Sequence, residues 1–200
     1  CISDDDASIR SIAATANQAM LNLIFLSPEP FELPALLIVL RDALANDSVA
    51  TRVASLTWIH MLHEKNARLV NSSIDDLLPA LLSTLSDRAD EVVHIDLQVL
   101  ARLSKDDSDN RFAHVIEALL QLFLENRDFL ELRGPLIIRK LSALLGSDIY
   151  LTVARILSES DDVDFATIMV QVLNLILLTA PELVSLRASL RRCFQSDAQP

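Results

Sequence analysis

Glycine is almost absent from this chain, which has only two glycines, Gly134 and Gly146, among 200 residues. A loop that cradles phosphate, or a turn that binds a dinucleotide, needs several glycines within a few positions, so this scarcity disfavours the nucleotide-binding enzyme classes. Aromatic residues make up 4% of the chain, whereas hydrophobic residues as a whole make up 51%. A glycine-poor, leucine-rich composition of this kind predicts an all-α fold.

Cysteine is also scarce, because Cys1 and Cys193 are too few for a disulfide framework or a Cys-rich zinc site. A reducing, cytoplasmic environment fits this usage, and no signal-peptide pattern is visible. The longest apolar stretch, Ile168 to Ala180, is interrupted by Gln171 and Asn174. It is shorter than the ~20 residues that span a bilayer. We therefore expect no transmembrane segment.

The formal net charge of −11 disfavours binding to nucleic acid and to anionic lipid. Binding to nucleic acid without sequence preference depends on many Lys and Arg side chains, and adhesion to anionic lipid favours the same sign. Neither a nucleic-acid partner nor direct lipid binding is therefore expected.

Catalysis finds little support in the pattern of polar residues. His60 and His63 lie one helical turn apart with Glu64 beside them, a geometry that a divalent metal could use if a further ligand came from elsewhere. A polar edge beside a helical core explains the same residues without a metal. No Ser-His-Asp or Cys-His set is suggested by local spacing. We predict no enzyme activity, no cofactor and no metal.

A repeat of about 40 residues is the strongest positive signal. Three sets of apolar residues recur at a step of 41: Leu56, Leu97 and Ile138; Ile59, Leu100 and Leu141; Leu62, Leu103 and Leu144. This step is typical of paired-helix repeats of the HEAT or armadillo kind, which bury their apolar faces by stacking on one another. We predict a right-handed α-solenoid of about ten helices, which offers surfaces to partners.

The repeats predict one solenoid segment over 1–200, part of a larger protein. Breaks are expected at Ser27 to Pro30, at the polar connection Asn66 to Ser73 and at the charged linker Lys105 to Asn110, and the last six residues should fray. The predicted units are the end of a truncated repeat at 1–26, helix pairs at 31–64, 74–104 and 111–145, a shorter pair at 148–179 and a final helix at 181–194.

Each predicted turn inside a pair carries an aspartate: Asp47, Asp87, Asp128 and Asp161. Such a residue can cap the second helix of its pair, where the helix dipole favours an anion. Arg52 and Arg133 each follow one of these aspartates by five residues, as in the Asp and Arg that connect neighbouring HEAT repeats. Val92 and Val93 stand in the equivalent place of the middle unit, so the series is incomplete.

Asp96 is the most unusual residue by pattern, because its helical face is otherwise apolar and the 41-residue step aligns it with Ser55 and Ile137. A buried carboxylate must be paired or hydrogen-bonded, or it takes up a proton. We interpret Asp96 as a link between repeats, with Arg52, Arg139 or a helix N-terminus as its partner. The alternative is an acceptor for an arginine of a partner protein.

The final predicted helix combines apolar and basic residues. Amphipathic packing explains them by default, and docking of a partner is the alternative. The residues concerned are Leu183, Leu186, Arg187, Leu190 and Arg191.

Several stretches resemble a known family beyond the generic repeat pattern. They are TRVASLTWIHML from Thr51, LLPALLSTLSDRADEVVHIDLQVLARLS from Leu77, LELRGPLIIRKLSALL from Leu130 and FATIMVQVLNLILLTAPELVSLR from Phe165. The opening CISDDDASIRSIAATANQAMLNLI is similar too. These stretches resemble the vacuole-morphology HEAT-repeat scaffold family, of the ArPIKfyve type, which carries longer loops near 27–31 and 105–111.

The resemblance implies a non-catalytic, self-associating scaffold that assembles a phosphatidylinositol 3-phosphate 5-kinase with a Sac-type phosphoinositide phosphatase. Such a complex controls phosphatidylinositol 3,5-bisphosphate, and the scaffold is peripheral on endosomal, vacuolar or lysosomal membranes. The position in the family implied for this chain is the middle of the scaffold. A karyopherin-like transport receptor, or another protein-binding adaptor, is the alternative function, because such receptors are also acidic and built of HEAT pairs.

Overall fold

The computed structural model describes residues 1–27, 32–105 and 111–196, with side chains as far as residue 194. This part of the chain is all-α, as predicted, and contains no strand. Its eleven α-helices are α1 (Ala7–Leu26), α2 (Leu33–Ala43), α3 (Val49–Lys65), α4 (Ala67–Asn71), α5 (Ile74–Thr84), α6 (Asp90–Ser104), α7 (Arg111–Glu125), α8 (Arg127–Leu145), α9 (Asp148–Ser158), α10 (Val163–Thr179) and α11 (Val184–Ser196). A 3-10 turn, Pro181–Leu183, precedes α11.

The helices form two compact units, Cys1–Asp106 and Asp107–Pro200. In the first unit, α2 pairs with α3 and α5 with α6, and the second helices of the two hairpins, α3 and α6, pack together. In the second unit, α7 pairs with α8 and α9 with α10, and α8 packs on α10. Each unit therefore follows the repeat principle predicted from the sequence, in which hairpins bury their apolar faces against one another.

The repeated apolar residues form the cores of the two units. Leu56, Ile59, Leu103 and Ile138 are completely buried. Leu62, Leu97, Leu100 and Leu141 are at most 2% exposed. The prediction is wrong for Leu144, which is 37% exposed near the end of α8. Helix α1 is also connected to α3, because the Trp58 indole donates to Asn17 Oδ1 at 2.8 Å.

Both ends of α1 are satisfied by side chains. Asp6 caps α1 by accepting from the amides of Ser8 and Ile9 at 2.7 and 3.4 Å. At the other end of α1, the Lys65 ammonium donates to the carbonyls of Ile24, Phe25 and Ser27. This contact places a cation where the helix dipole favours one, and it connects α3 to α1.

Several details of the predicted units differ from the structure or fall outside the residues that it describes. The polar connection at 66–73 contains the short helix α4, because Val70 is fully buried and Asn66 accepts from the Leu69 amide at 3.2 Å. Helices α8 and α10 begin at Arg127 and Val163, inside the predicted pairs at 111–145 and 148–179. The predicted break after Ser27 lies outside the described residues, as does the linker beyond Lys105. Helix α11 extends to Ser196, so the predicted fraying of residues 195 and 196 is wrong, and that of 197–200 lies outside the described residues.

In the described ranges, no individual helix combines the length and the apolarity needed to cross a membrane. Val163–Thr179 and Pro181–Phe194 pass that test only as a pair, and the pair is bent by 86°.

Candidate functional site

An extensive polar contact in the first unit is centred on Arg52, in the first turn of α3. Its guanidinium donates to both carboxylate oxygens of Asp87, at 2.6 and 3.0 Å. The Nη1 atom also donates to the carbonyls of Asn46 and Asp47, at 2.6 and 2.8 Å. Asp87 lies in the turn between α5 and α6 and accepts from the Ala89 amide at 2.8 Å. Arg52 therefore joins the turns of two successive hairpins.

Burial makes this ion pair stronger than an exposed one. The side chains of Arg52 and Asp87 are 13% and 8% exposed. Burial acts to raise the pKa of Asp87, but the hydrogen bonds and charge of Arg52, together with the Ala89 amide, outweigh it and lower the pKa below the usual 3.8. Asp87 is thus held as a carboxylate in the folded protein.

The second unit contains a corresponding pair that the sequence analysis missed. Arg127, the first residue of α8, donates to Asp162 at 3.1 Å and lies over the Phe165 ring, 5.2 Å from its centroid. Asp162 also caps α10 by accepting from the Phe165 amide at 2.8 Å. Both ion pairs join residues 35 positions apart, and this spacing is the signal that could have identified the second one.

The other predicted turn residues take less part in contacts between hairpins. Asp47 is exposed and contributes its backbone carbonyl, not its carboxylate, to Arg52. Asp128 is exposed in the first turn of α8, whose cap is Asn126. Asp161 lies one residue before the cap of α10, and the cap of α3 is Ser48, so the capping predictions for Asp47, Asp128 and Asp161 are wrong. Arg133 lies half-buried in the second turn of α8.

Asp96 is completely buried, as its position in the repeat predicts. Neither carboxyl oxygen has a hydrogen-bond partner among the described residues, so the predicted link from Asp96 to another repeat is not formed. Arg52, an expected partner, binds Asp87 instead. Burial raises the pKa of Asp96 well above its usual value, with the Thr84 hydroxyl opposing the effect and the Asp87 carboxylate adding to it. Complete burial also leaves Asp96 inaccessible to an arginine of a partner.

The predicted docking residues of the last helix are partly used within the chain. Leu183 is fully buried in the 3-10 turn. Arg187 donates to the carbonyls of Leu177 and Ala180 at 2.6 and 2.7 Å, at the carboxyl end of α10. These two residues are therefore not available for docking. Leu186 and Leu190 are half-buried and Arg191 is exposed, and their docking role stays a prediction.

A groove lies between α9 and α10 in the second unit. Its volume is about 340 Å³, and its lining includes Tyr150, Ala154, Leu157, Val170, Leu173 and Asn174. The Tyr150 hydroxyl is buried without a hydrogen-bond partner in the described part of the chain. Burial raises the pKa of Tyr150 to about 12, so this group is a neutral donor at cellular pH. The groove is therefore lined mainly by apolar side chains, and the Tyr150 hydroxyl is buried away from solvent.

A second cavity, of about 440 Å³, lies along one face of α1. Its lining is apolar and includes Ile9, Ile12, Ala16 and Met20. Three of these side chains are at least 42% exposed: Ile9, Ile12 and Met20. Helix α1 thus keeps an apolar face that no described part of the chain covers.

The histidine pair does not extend into a metal site within the described ranges, where no group of three or more His, Cys, Asp or Glu side chains is arranged to hold a metal. Burial and the neighbouring Arg102 lower the pKa of His60, against the opposing charge of Glu64. Arg102 Nη1 lies 3.9 Å from Glu64 Oε2 at the surface. The residues around His60 form a polar edge at the α3–α6 contact.

Residues 127–200, which include α8 to α11, match the family described as "Vacuolar protein 14 C-terminal Fig4p binding". No solved structure matches the chain significantly.

Three curated relatives are similar over most of the chain. "Protein VAC14 homolog" of Arabidopsis thaliana is 38% identical over 192 residues, which are 96% of this chain and 26% of the relative. The protein of the same name in Schizosaccharomyces pombe is 37% identical over 159 residues, 79% of this chain and 20% of the relative. "Vacuole morphology and inheritance protein 14" of Saccharomyces cerevisiae is 30% identical over 146 residues, which are 72% of this chain and 17% of the relative.

The chain therefore spans about a quarter or less of the length of these relatives. The similarity reaches from the first unit through the last helix, and the family match falls wholly within the second unit. These matches confirm the family that the sequence resembles, and the chain is of the Vac14 type.

Proposed function

We propose that this chain is a non-catalytic scaffold region of the complex that regulates phosphatidylinositol 3,5-bisphosphate. In this proposal, α8 to α11 contribute to binding the Sac-type phosphatase, which is the Fig4p of the family description. The observation that carries the proposal is the match of residues 127–200 to that family. The same observation favours a scaffold over the karyopherin-like alternative.

The surface of the second unit supports a binding role. Large apolar side chains are exposed on several of its helices, including Leu132 on α8 at 80%, Leu178 on α10 at 74% and Phe194 on α11 at 77%. These side chains are accessible to a partner protein. The helix hairpins supply a rigid support for such a surface, which suits a protein that holds others together.

The 5-kinase and self-association belong to the proposal for the whole scaffold, and we assign neither to a particular helix. Association with vacuolar or endosomal membranes is proposed to be indirect, through the complex. The vacuolar name of the Saccharomyces cerevisiae relative supports the location, and the net charge of −11 disfavours direct attraction to anionic lipid.

The test is affinity purification of the protein, tagged at its own chromosomal locus, followed by mass spectrometry. We expect a Sac-type phosphatase and a phosphatidylinositol 3-phosphate 5-kinase among the captured proteins. A second purification from cells that lack the phosphatase controls for unspecific capture. Recovery of neither enzyme would overturn the proposal, and recovery of a nuclear transport GTPase in its GTP form would favour the karyopherin-like alternative.

A further inference from the structure

The turn between α9 and α10 presents an exposed serine that is followed by acidic residues. Ser158 is the last residue of α9, and its exposed hydroxyl donates to the Arg155 carbonyl at 2.7 Å. Protein kinases select their substrates partly by charge pattern, and acidophilic kinases of the casein-kinase type favour carboxylates one and three residues after the serine. Glu159 and Asp161 occupy those two positions.

Both of these carboxylates are available to the basic groove of such a kinase. Glu159 and Asp161 are exposed, and neither carboxylate makes a hydrogen bond or an ion pair in the described part of the chain. Residues 159–162 lie between the two helices. The hydrogen bonds that tie the amides of residues 159 and 160 to the end of α9 are 3.2 and 3.3 Å long. A turn held in this way opens at less cost than a packed helix, so a kinase can extend it.

Exposure and free carboxylates distinguish Ser158 from other serines that precede acidic residues. Ser3 is also exposed, but the carboxylate three residues after it, Asp6, is engaged as the cap of α1. Ser104 precedes acidic residues too, but it is 3% exposed and its hydroxyl donates to the Leu100 carbonyl at 2.7 Å. Ser158 therefore has the combination that a kinase requires.

An arginine one helical turn before Ser158 suits the phosphorylated form. Arg155 is exposed, and its guanidinium has no polar partner among the described residues. Residues three apart on a helix are neighbours, and arginine binds phosphate through paired hydrogen bonds. A phosphate on Ser158 would carry about −1.5 to −2 charges at the carboxyl end of α9, where the helix dipole opposes an anion. The charge of Arg155 would offset this repulsion.

We propose that Ser158 is a phosphorylation site for an acidophilic protein kinase, and that Arg155 holds the phosphate at the end of α9. The kinase transfers the γ-phosphoryl group of magnesium-bound ATP to Ser158 Oγ. The new Oγ–P bond replaces the bond from the γ-phosphorus to ADP, ADP leaves, and the hydroxyl proton passes to the catalytic aspartate of the kinase. This inference goes beyond the proposed function and does not depend on it.

The first test is mass spectrometry of the protein, tagged at its own locus and purified with inhibitors of protein phosphatases present. We expect a peptide that carries phosphate on Ser158, and we expect an acidophilic kinase of the casein-kinase type to add it to the purified protein with ATP. Ser158→Ala should remove the signal in both experiments. Absence of phosphate on Ser158 from both would overturn the site. Equally rapid labelling of the buried Ser104 would show that the kinase acts on unfolded chains, and would overturn recognition of the folded turn.

Kinase kinetics on matched double variants test the two carboxylates. Glu159→Gln with Asp161→Asn should lower kcat/KM for phosphorylation of the chain at least about 10-fold, because charge-assisted contacts to the kinase are lost. Asp148→Asn with Glu182→Gln removes two exposed carboxylates elsewhere in the second unit and should leave kcat/KM unchanged. Equal rates for the two double variants would overturn acidophilic recognition, as would a requirement for a kinase that selects basic residues.

Phosphorus NMR of the phosphorylated protein tests the role of Arg155. A guanidinium that holds the phosphate lowers its second pKa, which is about 6 without such a partner. Arg155→Gln should therefore raise the pKa of the phosphate on Ser158. Arg191→Gln, at an exposed arginine of α11, is the control and should leave this pKa unchanged. Equal pKa values in the two variants would show that Arg155 does not hold the phosphate.

Discussion

At the scale of single residues, two ion pairs of equal sequence spacing differ in their surroundings. Arg52 and Asp87 are 13% and 8% exposed, whereas Arg127 and Asp162 are 37% and 38% exposed. Arg52 is also bound by two backbone carbonyls, which fix its position. Water screens the second pair and weakens its attraction, so the first contributes more to stability although both join the ends of successive hairpins.

We predict that Arg52→Ala lowers the free energy of unfolding by about 3 kcal/mol, because it leaves the largely buried Asp87 carboxylate without its partner. The matched substitution Arg127→Ala should cost less than about 1 kcal/mol, as for an exposed pair. Urea denaturation of both variants gives the comparison. Equal losses would show that burial does not separate the two pairs.

Because the pKa of Asp87 is shifted, the stability lost in Arg52→Ala should depend on pH. A carboxyl whose pKa is lower in the folded than in the unfolded state contributes stability that is fully present above the unfolded value. This contribution is lost as the pH falls through the folded value. Without the Arg52 guanidinium, the pKa of Asp87 is higher in the folded variant than in the folded wild type. The stability difference between wild type and Arg52→Ala should therefore be constant above the Asp87 pKa of the folded variant and shrink as the pH falls toward the lower pKa of the folded wild type.

The pKa of Asp96 is shifted in the opposite direction to that of Asp87. Its pKa is raised by burial, so the folded protein favours the protonated form, and the stability this contributes is present below 3.8 and lost as the pH rises through the folded pKa. We predict that Asp96→Asn stabilises the protein at pH 7 by about 1–3 kcal/mol, because a neutral amide replaces a carboxyl that ionises readily in the unfolded chain but not in this buried site. Measured from pH 4 to pH 8, the wild-type stability should fall relative to that of the variant. Parallel curves would contradict the prediction.

At the scale of helices, the 41-residue step predicted the hairpins and eight of the nine repeated core positions, because burial of an apolar stripe depends on spacing alone. The step did not predict which polar side chains meet. Arg127 and Asp162 are each adjacent to a residue that the sequence pattern favours, Asp128 and Asp161. A shift of one residue at the start of a helix changes which side chain caps it, and the pattern does not resolve such a shift. Helix α4 was missed because its five residues are too few to show a period.

The end of α8 depends on the backbone conformation of one glycine. Gly146 has φ of 73° and ψ of −146°, a region that is almost closed to residues with a Cβ atom. We predict that Gly146→Ala lowers the free energy of unfolding by about 1–3 kcal/mol, although a Cβ atom there would meet nothing within 4 Å. Ser147→Ala is the control, since Ser147 is the next residue and has φ of −71°. A neutral Gly146→Ala would show that the turn relaxes without cost.

At the scale of the whole molecule, the net charge and the exposed apolar side chains have opposite effects on membrane binding. The net charge of −11 opposes binding to anionic lipid, whereas the exposed apolar side chains favour contact with another protein or with a bilayer. Helix α11 concentrates Arg187, Arg191 and Arg192 in an otherwise acidic chain, but Arg187 is engaged by carbonyls of α10. We therefore expect repulsion to dominate for the isolated chain.

The corresponding prediction concerns vesicle flotation of the purified chain at about 0.15 M salt, where charges are screened beyond ~8 Å. We expect no more of it to float with vesicles rich in phosphatidylserine than with neutral phosphatidylcholine vesicles. Adding the purified kinase and phosphatase should bring the chain onto vesicles that contain phosphatidylinositol 3-phosphate, because membrane attachment is proposed to come from the complex. Preferential flotation of the chain alone with the anionic vesicles would place the membrane contact in this chain, and Arg191→Glu with Arg192→Glu would then test α11 as its source.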